Sequence, residues 1–347
     1  MSRAPAFWTE RGGWAAWLRP VAALYGAVAA ARLRRVPDFR APVPTVVVGN
    51  LTAGGAGKTP TVRALVRIAK ELGARPAVVS RGYGGRLAGP VEVDPALHGA
   101  HEVGDEPLLL ARDAPVFVAK DRPAGVAAAV AAGTDLALLD DGFQSNRIGT
   151  DLAVLVVDRA YGIGNGLTLP AGPLRAPLAV QLDRAGLIVD LDGGDGETDR
   201  SAALRRMASD RGLPVVSARL EPRAPEQVAG RRVLAFAGIG RPEKFAASLA
   251  RAGAEVVHFR AYADHMAMRD AEAASILALA EREGLAIVTT EKDAARLAHA
   301  ADGPLARLEA ASVVFAVDLV FADEAPIRSR LAALVEKSSD QNPRSAS

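Results

Sequence analysis

"VVVGNLTAGGAGKTPTV", residues 46–62, is the stretch whose reading decides the fold. β-branched residues run into a glycine-rich bend, and Gly57-Lys58-Thr59 then opens a segment of helical composition. A strand, a glycine loop and a helix in that order gather backbone N–H groups around an anion at the helix N-terminus. In such a loop Thr52, Ala53, Gly54, Gly55, Ala56 and Gly57 wrap the phosphates, Lys58 reaches the β- and γ-phosphates, and Thr59 ligates Mg²⁺. One position departs from the pattern: Thr52 stands where the motif has its first glycine. The plain alternative is a glycine-rich structural turn, but the adjoining Lys-Thr favours a phosphate loop of variant form.

Outward from the loop, short β-rich runs alternate with Ala/Leu/Arg-rich helical runs. Strands are expected at 45–48, 77–80, 116–119, 136–140, 152–157, 187–189, 215–218, 233–237, 255–259, 286–289 and 313–320. Helices are expected at about 58–72, 122–132, 241–252 and 270–284. Apolar strands alternating with helices predict an α/β fold, with a mostly parallel sheet covered on both faces. The acidic, glycine-rich "DLDGGDGETDR" at 190–200 reads as a surface loop and boundary. The expected organisation is a basic arm (1–40), a phosphate-loop core (41–200), a second smaller α/β unit (210–322), and a closing helix near 324–336 in the C-terminal segment (323–347). The last residues, "EKSSDQNPRSAS", are polar and expected to be disordered.

The 347 residues are half hydrophobic and carry a net charge of only +2, a soluble globular composition without the polycation of a nucleic-acid binder. With no cysteine, disulfides, zinc–thiolate sites and thiol catalysis are excluded. The charge is uneven: residues 1–40 hold seven arginines against Glu10 and Asp38, net +5, which leaves −3 for the rest. Within this arm Trp14, Trp17, Leu18, Val21, Leu24, Tyr25 and Val28 share one helical face, with Arg32, Arg34 and Arg35 at one end. The run between Arg19 and Arg32 is well short of the roughly 20 residues needed to span a bilayer. Two readings stand: a helix packed on its own domain, or one lying on an anionic membrane face.

Further motifs carry chemistry. "DLALLDDGFQ" (135–144) is an apolar strand ending in Asp140-Asp141, where phosphate-loop enzymes place the carboxylate that holds the metal or its water. "GDEPLLLA" (104–111) sets Asp105 and Glu106 at a helix start, a place that N-terminal capping also explains. "YADHMAMRD" (262–270) pairs Asp264 with His265 at a strand end, and a carboxylate with a histidine can serve as general base for a hydroxyl nucleophile. Arg81 in "SRGYGG", Arg122 in "KDR" and Arg175 in "GNGLTLPAGPLRAP" are loop arginines suited to phosphate, or plain surface charge.

Taken in order, "GNLTAGGAGKTP", "SRGYGG", "GDEPLLLA", "KDR", "LDDGFQ", "LPAGPLR", the "DH" of "YADHM" and "TTEKD" (289–293) resemble the tetraacyldisaccharide 4'-kinase family of Gram-negative lipid A synthesis. The resemblance spans about residues 10–325 and includes a phosphate loop without the first glycine. It implies a two-lobed protein that uses ATP and Mg²⁺ to phosphorylate the 4'-hydroxyl of a tetraacylated glucosamine disaccharide 1-phosphate. It also implies peripheral contact with an anionic membrane at the cytoplasmic face of the inner membrane, and no nucleic-acid partner. By position, Asp105 resembles the catalytic base, with His265 tuning it. Asp140 and Asp141 resemble the metal and active-site carboxylates, Lys58 and Thr59 the phosphate and Mg²⁺ contacts, and Arg122 and Arg175 arginines of the cleft. Ala176 departs from the family, which has an acid after the arginine, and "DHMAM" lacks the aromatic or second polar residue that often follows the histidine. Two other readings keep the loop: a partner-regulated nucleotide switch, and a kinase of a soluble small molecule. In the first, "TEKD" would have to be a guanine-reading motif, but its lysine comes one place late.

Overall fold

The computed structural model describes residues 5–9, 12–54, 57–192, 199–264, 266–298, 300 and 302–341. Its first strands are β1 (Thr45–Asn50), β2 (Pro76–Ser80), β3 (Val91–Glu92), β4 (Val116–Val118), β5 (Leu136–Asp140), β6 (Leu152–Asp158) and β7 (Leu187–Asp192). There follow β8 (Val215–Pro222), β9 (Arg232–Ala237), β10 (Glu255–Ala261), β11 (Ala286–Thr290), β12 (Ser312–Phe315) and β13 (Val317–Phe321). Nine strands form one sheet in the order β13-β8-β7-β6-β1-β5-β2-β4-β3, and four form another in the order β10-β9-β11-β12. Among the described strands only the edge pairs β13–β8 and β3–β4 are antiparallel.

The central strand shows why the apolar runs behave this way. Every residue of β1 is buried. Val46 and Val48 enter the core on one face of the sheet and Val47 the core on the other, as a period of two demands. The helix Lys58–Glu71 covers the first face through Val62, Leu65 and Ile68, while the helix Arg122–Ala131 covers the second through Val126 and Ala129.

The structure departs from the sequence reading in four places. The apolar run 313–320 is two strands: β12 pairs with β11 in the small sheet, and β13, one residue later, pairs with β8 in the large one. Consequently β8 and β13, expected in the second unit, hydrogen-bond into the large sheet, and the small sheet spans 232–315. Asp190–Asp192 extend β7 instead of opening a loop, because the buried Asp190 accepts from Arg159 (3.1 Å) and Arg205 (2.9 Å). Residues 193–198 of that stretch lie outside the described residues. The closing helix runs Ala325–Gln341, beyond 336, anchored by Ile327 and Leu331 in the core and by Ser338 Oγ donating to the Asp135 carbonyl (2.9 Å). Residues 342–347 lie outside the described set.

The arm forms a short helix, Trp14–Trp17, and a longer one, Arg19–Leu33. The longer helix docks through its small residues Ala22, Gly26 and Ala30 and, at its end, Leu33, all buried, and Thr168 Oγ1 donates to the Ala22 carbonyl (2.7 Å). A Cβ on Gly26 would lie 3.1 Å from that hydroxyl, so this contact favours glycine. The bulky face predicted from spacing points the other way: Trp14 is 72% exposed, Trp17 84% and Leu24 69%. No described helix is long and apolar enough to cross a membrane.

Candidate active site

The glycine loop leaves β1 at the carboxyl edge of the large sheet. From there the chain crosses to β2 on one side, whereas the neighbouring β6 leads to β7 on the other. The loops that leave these two strands diverge, which opens the crevice where open α/β sheets bind ligands. Thr52 is explained here. Its backbone forms an isolated antiparallel bridge with Leu174, while Ala53 N donates to the Pro173 carbonyl (2.8 Å) and Arg175 N to the Leu51 carbonyl (3.0 Å). Among the described non-glycine residues only Asp141 has a positive φ, so Thr52 holds a conformation open to any side chain and no glycine is required. Gly57 is different: its φ is +89°, and a Cβ would lie 2.6 Å from Leu191 Cδ2. Gly54 also has a positive φ, and Gly55 and Ala56 lie outside the described residues. The helix begins at Lys58, with Thr59 buried in its first turn.

Beside the loop, β5 ends in the second acidic element. Asp141 follows at φ +50°, a left-handed conformation that aspartate tolerates better than most residues and that gathers at functional sites. Its carbonyl accepts from Arg122 Nη2 (2.8 Å), and its carboxylate lies 3.4 Å from Arg175 and 3.7 Å from Lys58. Arg175 Nε also donates to the Thr52 carbonyl (3.3 Å), which ties this acid to the loop. Asp140 is buried, and its Oδ1 has no hydrogen-bond partner among the described residues. Burial, reinforced by the nearby Glu106 carboxylate and opposed by Lys58, pushes its pKa up to about 7. Arg122 Nε is likewise buried and has no partner among the described residues. Burial draws the Arg122 pKa down and Arg81 adds to this, while Asp141 and Asp140 oppose it.

Asp105 lies apart from this group, at the first residue of the helix Asp105–Leu110. It is buried against Arg296, whose Nε donates to Oδ2 at 2.8 Å and whose Nη2 approaches the same oxygen. The next residue, Glu106, accepts from Lys292 Nζ at 2.5 Å. A cavity of about 410 Å³ opens here between the two sheets, lined by Asp105 and Arg296 with Tyr83, Phe236, Tyr262 and Met268. A further ion pair joins the two sheets where Arg241 Nη1 reaches Asp158 Oδ2 (2.7 Å), at the end of β6.

Of the residues singled out by sequence, Lys58, Asp140, Asp141, Arg122 and Arg175 gather beside the loop, and the charge of Arg81 reaches Arg122. Asp105 is connected to them through Glu106, whose charge acts on Asp140. His265 lies outside the described residues. Sequence reasoning missed Gln144, which donates to the Asn50 carbonyl (2.7 Å) and accepts from Arg175 (3.4 Å). It also missed Arg296 and gave "TTEKD" no role, although that segment carries Lys292 and stops three residues short of Arg296. Among the described residues no group of three or more acids and histidines stands ready to hold a metal by itself.

The sheet, the crevice and the glycine loop at its carboxyl edge define an α/β protein of the anion-binding, mostly parallel-sheet class. Comparison with known proteins narrows this. The family model for tetraacyldisaccharide-1-P 4'-kinase matches residues 14–336, and the chain belongs to that family. It is 51% identical to a tetraacyldisaccharide 4'-kinase of Methylorubrum extorquens, over 95% of this chain and 98% of that one. It is 50% identical to that of Nitrobacter hamburgensis, over 94% of this chain and 96% of the relative. Among solved structures it resembles that of LpxK from Aquifex aeolicus in complex with ATP, with a TM-score of 0.71 and 24% identity over 93% of this chain and all of that one. At that identity the likeness concerns the fold.

Proposed function

We propose that this chain transfers the γ-phosphoryl group of ATP to the 4'-hydroxyl of a tetraacylated glucosamine disaccharide 1-phosphate, forming lipid IVA at the cytoplasmic face of the inner membrane. The activity class is the 4'-kinase activity of lipid A biosynthesis, as family membership establishes. One observation carries the assignment to this site. Beside a phosphate loop, a buried acceptor (Asp140 Oδ1) and a buried donor (Arg122 Nε) both lack partners among the described residues, and buried polar atoms are rarely left unpaired unless a ligand completes them.

Phosphoryl transfer asks a protein for positioning and charge neutralisation more than for covalent chemistry. The loop amides and Lys58 hold the ATP phosphates, and Arg122 and Arg175, with Arg81 beside them, offset charge on the transferred group. Asp105, assisted by His265, takes the proton of the 4'-hydroxyl, and Asp141 orients Lys58 and Arg175. Thr59 and Asp140 supply hard oxygen donors suited to Mg²⁺, which neutralises phosphate charge when bound. The exposed Trp14, Trp17 and Leu24, with the arginines that follow, rest the arm on an anionic membrane, where the acyl chains stay while the sugar enters the crevice.

ATP turnover by the purified protein, with and without tetraacyl disaccharide 1-phosphate in detergent, tests the proposal beside an Asp105→Ala variant. Acceptor-dependent turnover that collapses in the variant is expected. ATP hydrolysis indifferent to the lipid would point to a nucleotide switch instead.

A further inference from the structure

We infer that Arg296, carried on the small-sheet side, is the positioning residue for Asp105, and that the segment Thr289–Asp293 is its mount. The inference rests on reading Asp105 as the base of the 4'-kinase.

The geometry is committed at every atom that matters. Asp105 Oδ1 accepts from the Glu106 amide (2.9 Å), and Oδ2 takes two donors from the Arg296 guanidinium. The backbone beneath is equally constrained: Gly104, just before, has φ +90°, and a Cβ there would come within 2.6 Å of the Tyr83 carbonyl. Arg296 is held in turn, its Nη1 donating to Asp293 Oδ1 (2.9 Å) and to the Gly238 carbonyl (2.6 Å). Asp293 accepts from the Gly238 amide (3.1 Å) and the Thr290 hydroxyl (2.6 Å). Gly238 and Thr290 sit at the carboxyl ends of β9 and β11, so the guanidinium is fixed to the edge of the small sheet.

The neighbouring contact repeats the arrangement. Glu106 meets Lys292, so two consecutive acids of the helix Asp105–Leu110 face two cations of the helix Glu291–Leu297. Burial draws the Lys292 pKa down, but Glu106 and Asp105 more than offset this and raise it, so the ammonium stays charged. Stability alone is a poor reason for such a pair, because desolvating two charges costs about as much as their attraction returns. Placement at a cavity that both Asp105 and Arg296 line is the better reason. A carboxylate that must collect a proton has to be ionised and oriented before the hydroxyl arrives, and the guanidinium does both. The base is therefore assembled from both sheets, and the motif "TTEKD" gains a function: it mounts the residue that aims the base.

A double-mutant cycle tests this, with ATP and tetraacyl disaccharide 1-phosphate in mixed micelles and full-length wild type, Arg296→Met, Asp105→Asn and the double variant. Arg296→Met is expected to lower kcat by roughly 30-fold or more with KM for ATP within about twofold, and Arg296→Lys to recover part of the loss. On the Asp105→Asn background the Arg296→Met change should cost less than about twofold, because the group it acts through is gone. A wild-type kcat in Arg296→Met, or a loss of undiminished size on that background, would overturn the inference. If Arg296→Met shows no cooperative melting, Arg296→Lys decides: it keeps the charge without the fork, and wild-type kcat there overturns the positioning role. Wild-type turnover by Asp105→Asn would instead bring down the reading of Asp105 as base, and the role of Arg296 with it.

Discussion

Asp140 combines burial, an oxygen with no partner among the described residues and a carboxylate drawn toward neutrality. In the unfolded chain its pKa returns to about 3.9, whereas in the fold it stands at about 7. Below pH ~4 both states hold the proton and the group costs nothing. As the pH rises from about 4 to about 7 the folded protein retains a proton that the unfolded chain has released, so stability falls across that window and levels off above it. Asp140→Asn should accordingly melt above the wild type at pH 8, with the gap shrinking toward pH 5, in thermal scans without nucleotide or metal. A constant gap across that range would mean that the residue does not titrate there. Much at this scale was legible in advance, since Lys58, Asp140, Asp141, Arg122 and Arg175 are named by local pattern and gather in space. Arg296 was not legible, because its partner is 191 positions away and an arginine in a helix reads as surface charge.

At the scale of the element, the loop keeps its bend without the first glycine of its motif. Thr52 is freed from the requirement by its bridge to Leu174, a contact no local reading supplies. Gly57 is not free, held between a positive φ and Leu191. Gly57→Ala should cost about 1–3 kcal/mol of stability and weaken ATP binding tenfold or more, by denaturation and calorimetry respectively. Retention of full ATP affinity would show that the bend tolerates a side chain. Strand positions were readable from apolar runs over most of the large sheet, yet the run 313–320 hid a change of sheet. Hydropathy reports that a residue is buried and is silent about which sheet buries it. The two-residue β3 was unreadable for a simpler reason, being too short to show a period.

For the whole molecule the arm sets the relation to a surface. Apart from Leu33, its helix spends small residues on the body and leaves the large ones to solvent, the reverse of an ordinary packed amphipathic helix. Trp14→Ser, Trp17→Ser and Leu24→Ser combined should cut partition onto anionic vesicles by about tenfold or more while leaving the melting temperature within roughly 2 °C of wild type. Sedimentation with vesicles reads the first and calorimetry the second, and unchanged partition would remove the arm from membrane contact. Sequence spacing predicted this face but left open what covers it, since exposure is a property of the assembled surface.

The return of β13 to the large sheet bears on how the protein is made. Both stems of the small-sheet unit spring from neighbouring strands, β8 and β13, so the unit is an interruption inside an unfinished sheet. On the ribosome, β8 emerges about a hundred residues before its edge partner, with an open row of amides and carbonyls that can capture another chain until residue 321 arrives. The β8–β13 rim is thus the last seam of the large sheet to close, and the time that translation takes to cross the interruption is the interval in which that edge of a nascent copy is most exposed to its neighbours.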